Sequence, residues 1–411
     1  MNTTKASKFE RMQFLGNKIL VNGMRLAANI MPIRDPKLFV GTTSLNELAQ
    51  SIAKDGVKRV LLVTTAGIIK RGQADEFING LKANDIVPVI FDGTVPDPTF
   101  KVVNAGIRLL IQESCDAIVA FGGGSAMDAA KVMAVAAANN RKPEKLIGYF
   151  KGLKKPLPFY AIPTTSGTGS EATIASVISD DNTHEKCFII DSRTVPLAVA
   201  LEPRLMEKLS PSMTAATGMD ALTHAIEASV STISTRKTDR DAEEAVKLIF
   251  ENLPKAWQNG SDLEAREAMA MASYKAGKAF TKASLGYVHA ISHQLGAYYG
   301  IAHGLGNAII LPKVLEYSKK AAAPSLARLA IATGIGDASQ TQSTLAQTFV
   351  DHVIQLNQQL AIPSQVSELQ ESDIPNIAKG ALKEALLNYP VPRYMGRGNC
   401  EAMLRDLMVT D

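Results

Sequence analysis

Residues 117–131 read AIVAFGGGSAMDAAK, which is a short apolar strand, a glycine turn and the start of a helix. Glycines at such a junction let the backbone approach a pyrophosphate, and the N–H groups of the first helical turn attract its charge. The spacing departs from the usual dinucleotide fingerprint, because the third glycine of G-x-G-x-x-G would fall at Met127. Ser125 with Asp128 also makes an S-x-x-D capping pattern, so a plain turn and helix cap stands beside the phosphate cradle as a reading of this stretch.

Outward from this stretch, short apolar runs alternate with helical ones from Lys37 to about Pro203, which predicts an α/β layer with a largely parallel sheet. The expected strands are Arg59 to Thr64, Val87 to Phe91, Ala117 to Phe121, Tyr160 to Pro163 and Leu197 to Ala200, with helices such as Leu45 to Lys54 and Phe100 to Glu113 between them. Pro88 suits the first turn of a strand or an edge position. Beyond Leu205 the strand-like runs stop, and Ala-, Leu-, Glu- and Lys-rich segments such as Asp239 to Asn252, Asp262 to Phe280 and Leu345 to Leu360 predict an all-helical half. Leu201-Glu202-Pro203 is a sensible junction, since proline disfavours helix in the residue before it. The expected organisation is an α/β nucleotide-binding domain over 1–204, of which 1–36 is an extension, and an all-helical metal-binding domain over 205–411.

A second small-residue loop, PTTSGTGSE from Pro163 to Glu171, also follows an expected strand. Its hydroxyls and amides can hold a ribose or a phosphate, or it is a connector. Two such loops after two strands fit a cofactor lying across the carboxyl ends of a sheet.

The helical half holds most of the histidines. In GYVHAISHQLGAYYGIAHGLGN, Gly286 to Asn307, His289 and His293 are four residues apart and share a helix face. His303 lies fourteen residues beyond His289, which a continuous helix at about 1.5 Å per residue would carry roughly 21 Å away. Gly296, Gly300 and Gly304 offer places for the chain to turn back. Upstream, Asp220 and His224 in TGMDALTHAIEAS form another i, i+4 pair. An Asp with up to three His gives oxygen and nitrogen donors suited to Fe2+ or Zn2+. Spacing alone leaves open a helix-surface hydrogen bond for the Asp/His pair, and whether His289 or His293 is the ligand.

The whole chain of 411 residues, 46% hydrophobic and 20% charged, has the size of two globular domains. Its net charge of +4 equals the excess of Lys5, Lys8, Arg11, Lys18 and Arg25 over Glu10 in the first thirty residues, so the remainder is balanced and no basic patch argues for nucleic acid. That leader reads as an amphipathic helix through Met12, Leu15, Ile19 and Leu26, packed on the body or a partner subunit in preference to a membrane or transit role. The apolar stretch from Ile19 to Ile33 is broken by Arg25 and Pro32 and is too short to span a bilayer. Three scattered cysteines, Cys115, Cys187 and Cys400, suit a reducing cytoplasm.

Taken in order, GGGSAMDAAK, PTTSGTGSEAT, TGMDALTHAIEA and GYVHAISHQLGAYYGIAHG resemble the motifs of the iron-containing (group III) alcohol dehydrogenase family, over about Lys37 to Pro312. The resemblance implies a Rossmann-like domain binding NAD or NADP, a helical domain carrying a divalent metal, a site in the cleft between them, and a homodimer. It implies Asp220, His224, His289 and His303 as metal ligands. His293 becomes a histidine beside the nicotinamide that relays the alcohol proton. Gly123, Gly124, Ser125 and Asp128 match the pyrophosphate loop, Thr164, Thr165, Thr168 and Lys186 other cofactor contacts, and Phe280 the substrate pocket for a small alcohol or aldehyde.

Several positions depart from the family pattern. Thr65 stands where an Asp commonly binds the adenosine ribose, which admits NADP because no carboxylate repels its 2′-phosphate. Asp97 replaces a frequent Asn near the cleft, Ala175 another Asn, and Ala302 a proline before the last ligand, while the leader and NYPVPRYM, Asn388 to Met395, are unusual. A carbon–oxygen lyase or cyclase like dehydroquinate synthase, or a glycerol dehydrogenase-like polyol oxidoreductase, shares the plan, but Asp220 within GMDALTHAIEA favours the alcohol dehydrogenase reading over the lyase.

Overall fold

The structure, a computed structural model, describes Gly23 and residues 33–183 and 185–409. The basic leader lies outside the described residues.

The described chain forms two compact units. The first, through Lys208 and with Gly260–Gly277 added, contains β1 (Lys37–Val40), α1 (Ser44–Lys54), β2 (Arg59–Val63), α2 (Ala66–Lys70), α3 (Asp75–Ala83), β3 (Val87–Phe91), α4 (Phe100–Gln112), β4 (Ala117–Gly122) and α5 (Gly124–Asn139). It continues with β5 (Gly148–Tyr149), β6 (Phe159–Pro163), β7 (Ala175–Ser179), β8 (Lys186–Ile190) and β9 (Ala198–Leu201). Six strands make one parallel sheet in the order β1-β9-β6-β4-β2-β3, and β5-β8-β7 make a small second sheet. All five expected strands are in the large sheet, and Pro88 lies on β3 at its edge, where a missing N–H is tolerated.

The apolar runs read as unbroken rather than alternating because the sheet is covered on both faces. On one face Val60, Leu62, Val119, Phe121, Tyr160 and Ile162 pack with Leu45, Leu48 and Ile52 of α1 and Phe77 and Leu81 of α3. Their neighbours Leu61, Ile118 and Ala120 are equally buried.

The second unit, Leu209–Asn259 with Lys278 onward, is helical: α6 (Pro211–Val230), α7 (Arg236–Gln258), the end of α8 (Leu263–Ala283), α9 (Tyr287–Tyr299), α10 (His303–Ala332), α11 (Gln342–Gln359), α12 (Ile374–Asn388) and α13 (Arg397–Arg405). Helix α6 packs on α7 and α10, α10 on α11, and α9 on both α10 and α12. Gly300 ends α9 in the left-handed conformation at φ +68°, where glycine carries no Cβ penalty, and α10 begins three residues later at His303. The chain therefore turns back between His293 and His303.

A single cut at residue 204 does not describe this organisation, because Gly260–Gly277 groups with the α/β unit. The cause is a close backbone approach between α8 and the PTTSGTGSE loop. The Gly169 N–H donates to Ser273 Oγ at 3.1 Å. A Cβ on Gly169 would lie 2.5 Å from the Ser273 carbonyl oxygen, and one on Gly277 would collide with the Gly169 carbonyl. Gly277→Ala should lower stability by about 1–3 kcal/mol through this overlap, and Gly169→Ala should do so with left-handed strain added, both read as lower urea denaturation midpoints.

Candidate metal and dinucleotide sites

Helix α6 is capped by the Ser210 side chain, which accepts the Met213 N–H, and carries proline at its first turn. Asp220, His224 and Glu227 follow at i, i+4 and i+7, and all three are buried. Helix α9 contributes His289 and α10 contributes His303 as its first residue. Ligand atoms of Asp220, His224, His289 and His303 all lie within 4.8 Å of one another. Asp220 Oδ1 is 3.4 Å from His303 Nε2, 3.8 Å from His289 Nε2 and 3.9 Å from His224 Nε2. A divalent ion held at about 2.0–2.2 Å needs donors separated on this scale.

Rings lock the arrangement. His224 is stacked between Phe280, at 4.4 Å, and His289, at 4.6 Å. His303 is the accessible member, its side chain 38% exposed, against 1% for His289. His293, the alternative ligand by spacing, is outside the cluster. Its Nδ1 is 2.7 Å from Glu384 Oε1, and its ring faces that of His303 at 5.2 Å.

Glu227 was not singled out by sequence reasoning, although its i+7 spacing from Asp220 could have found it. Its carboxylate accepts the Gly286 N–H at 2.9 Å and the Val288 N–H at 2.8 Å, capping α9 from another helix, and meets His289 Nδ1 at 2.6 Å. A Cβ on residue 286 would sit 2.7 Å from Glu227 Oε1, so glycine there admits the carboxylate. Burial pushes the Glu227 pKa up to about 8 against the N–H donors that lower it, and holds the His289 pKa well below its usual value.

Asn307, one turn after His303, was also missed. Its Nδ2 donates to Asp220 Oδ1 at 2.8 Å and lies 3.1 Å from His289 Nε2 and 3.2 Å from His303 Nε2. Its own buried Oδ1 accepts no hydrogen bond among the described residues. An amide donor facing Nε2 places the His289 proton on Nδ1, toward Glu227, and leaves the Nε2 lone pair for the centre. One amide among this many lone pairs is a weak counterpart for a carboxylate and three imidazoles. The donor set fits a divalent cation.

In the α/β unit, Gly123 caps α5 with no side-chain hydrogen bond, so the S-x-x-D capping box is not formed. A Cβ on Gly123 would lie 3.3 Å from Thr165 Oγ1 and one on Gly124 2.8 Å from Thr168 Cγ2, which puts the two small-residue loops face to face. Ser125, Thr165 and Thr168 are partly accessible, whereas Thr164 is buried. Asp128 turns away from the helix start: its oxygens accept from Ser170 Oγ at 2.8 Å and from the Val177 N–H at 3.0 Å. Buried Lys131 donates to Ser170 Oγ, Thr173 Oγ1 and the Ala175 carbonyl, tying α5 to the second loop, and burial pushes its pKa down to about 8. Lys186 on β8 pairs with Asp97 at 3.1 Å. Thr65 caps α2, its Oγ1 accepting the Ile68 N–H.

Two family models match: "Iron-containing alcohol dehydrogenase" over residues 35–203 and "Fe-containing alcohol dehydrogenase family, C-terminal" over 214–408. The chain belongs to the iron-containing alcohol dehydrogenase family. It is 40% identical over 347 residues to alcohol dehydrogenase 4 of Schizosaccharomyces pombe, covering 84% of this chain and 81% of that protein. It is 38% identical over 351 residues to the NAD-dependent methanol dehydrogenase of Bacillus methanolicus, covering 85% and 92%. A crystal structure of 1,3-propanediol oxidoreductase superposes with a TM-score of 0.88 at 35% identity, covering 92% of this chain and all of that one. The family likeness thus extends through the C-terminal helices, past the motifs that end near Pro312. The protein is an oxidoreductase that interconverts alcohols and carbonyl compounds, with a divalent metal and a nicotinamide dinucleotide as its cofactors.

Glu227→Gln replaces the carboxyl group that holds His289 with an amide. Metal affinity should fall by about 10- to 100-fold, as measured by titration against a competing chelator.

Proposed function

We propose that the α/β unit binds the dinucleotide and the helical unit binds the metal through Asp220, His224, His289 and His303. The observation that carries this reading is the convergence of one carboxylate and three imidazoles, from three helices, with His293 set apart on a carboxylate of its own. A metal so held supplies Lewis acidity toward the alcohol or carbonyl oxygen.

The protein's own residues do the rest. Burial keeps His289 neutral and Glu227 aims it. Stacking between Phe280 and His289 fixes His224, and partly exposed Phe280 offers an apolar wall for a small alcohol or aldehyde. His293 accepts the alcohol proton and passes it to solvent, while hydride moves between substrate carbon and nicotinamide. The facing loops at Gly123–Gly124 and Thr165–Thr168 receive the pyrophosphate, aided by the N-terminus of α5. Asp128 supports that loop pair rather than touching the phosphates, and Lys186 with Asp97 serves the cofactor ribose.

Iron is the preferred reading of the metal and zinc the alternative, since both take nitrogen and oxygen donors. Family resemblance also supports a homodimer. Three free cysteines, two of them buried, are in keeping with a reducing cytoplasm. Light scattering tests the first and cell fractionation the second.

His289→Ala and His303→Ala should lose bound metal and activity together, whereas His293→Ala should keep its metal and turn over more slowly. Elemental analysis of the purified variants decides the assignment, and a loss of metal from His293→Ala but not from His289→Ala would reverse it.

Thr65 extends the reading to NADP. Thr65→Asp preserves the helix cap, because Asp caps at least as well as Thr, but sets a carboxylate against a 2′-phosphate. Its kcat/KM with NADPH should fall by about 10- to 100-fold while that with NADH holds, followed at 340 nm with each cofactor. A wild-type enzyme that already favours NADH by a large factor would count against NADP.

A further inference from the structure

The NYPVPRYM segment has no part in the centre as described so far, yet it is firmly built in. The Thr232 N–H donates to the Pro390 carbonyl at 2.9 Å, the Met395 N–H to Tyr287 Oη at 2.9 Å, and Tyr317 Oη to the Tyr394 carbonyl at 2.7 Å. Arg393 lies over the Tyr317 ring at 4.0 Å. These contacts fix Tyr389, whose hydroxyl donates to Glu384 Oε1 at 2.7 Å. The same oxygen lies 2.7 Å from His293 Nδ1.

We propose that Glu384, itself held by Tyr389, is the positioning residue of His293: it accepts a hydrogen bond from Nδ1–H and so presents Nε2 as the proton-accepting atom. An ionised Oε1 that accepts from two donors requires the proton on Nδ1. In a neutral imidazole Nε2 then carries the lone pair. When Nε2 accepts the alcohol proton, the O–H bond breaks, an N–H bond forms, and the positive ring faces a carboxylate. His293 and Glu384 side chains are 17% and 16% exposed, so their attraction is less screened than at the surface. The arrangement repeats the Glu227–His289 pair one turn earlier on α9, with the second histidine outside the ligand cluster. The inference rests on the reading of His293 as the proton acceptor.

The test uses the full-length, metal-loaded enzyme labelled with 15N-histidine. Long-range 15N–1H spectra, with the His293 signal assigned by its loss in His293→Gln, should show the Nδ1-protonated tautomer in the wild type. Glu384→Ala should shift that signal toward the Nε2-protonated form with metal content unchanged. Its kcat should fall at least about tenfold, in line with the value of a positioned base, and should fall no further when His293→Ala is added. Glu384→Gln keeps an acceptor and should recover part of both the tautomer and kcat, which guards against misfolding of the alanine variant. An Nε2-protonated His293 in the wild type, or a tautomer indifferent to Glu384→Ala, overturns the proposal. If the tautomer depends on Glu384 but His293→Ala turns over at the wild-type rate, positioning stands and the proton-acceptor reading falls.

Discussion

The carboxylate of Glu227 is the contact on which the helical unit's chemistry depends. It leaves α6, caps the first turn of α9 and ends on His289 Nδ1, so one side chain sets where a second helix begins and how its first histidine is turned. A carboxylate at a helix N-terminus is stabilised by the aligned peptide dipoles, which offsets part of its burial cost. Gly286 is the sequence's concession to this contact, because a methyl group there would strike the carboxylate. Asp220 and His224 ride on the same face of α6, so the helix that supplies two cluster members also orients the third.

The α/β unit reaches rigidity by a different route. Its loops are made of glycine, serine and threonine, and little apolar surface holds them. Buried Lys131 and its neighbour Asp128 act instead, pulling α5, the second loop and the small β5-β8-β7 sheet together through hydrogen bonds. Burial raises Asp128 and lowers Lys131, and the opposite charge of each works against the other's shift.

Much of this was legible in the chain. Five of the six strands of the large sheet announce themselves as apolar runs, and the long helices by composition. The four-residue β1 and two-residue β5 were missed because their pairing depends on distant partners rather than on a local pattern, and the β7–β8 hairpin because its strands carry serine, cysteine and lysine among the apolar residues. The first segment of α8 was legible as helix but not as part of the α/β unit, since its allegiance comes from a glycine-to-glycine approach about a hundred residues apart in sequence. At the centre, i, i+4 spacing brought out Asp220, His224, His289 and His293 but could not separate the last two. The separation is made by Glu227 and Glu384, one visible as i+7 on α6, the other on a helix far downstream with no signal in spacing at all. The S-x-x-D pattern misleads on capping because Asp128 found stronger donors in Ser170 and Val177.

His224 stacked between Phe280 and His289, with Asp220 one turn before it on the same helix, means that these three cluster members are held together while His303 keeps an exposed side. An ion seated among them would meet three fixed donors and one exposed one, so its exchange would be governed from the His303 side, where the centre stays open to solvent. The centre would then behave as a cup with one movable wall, its floor set by the fold and its traffic with solvent set by a single side chain.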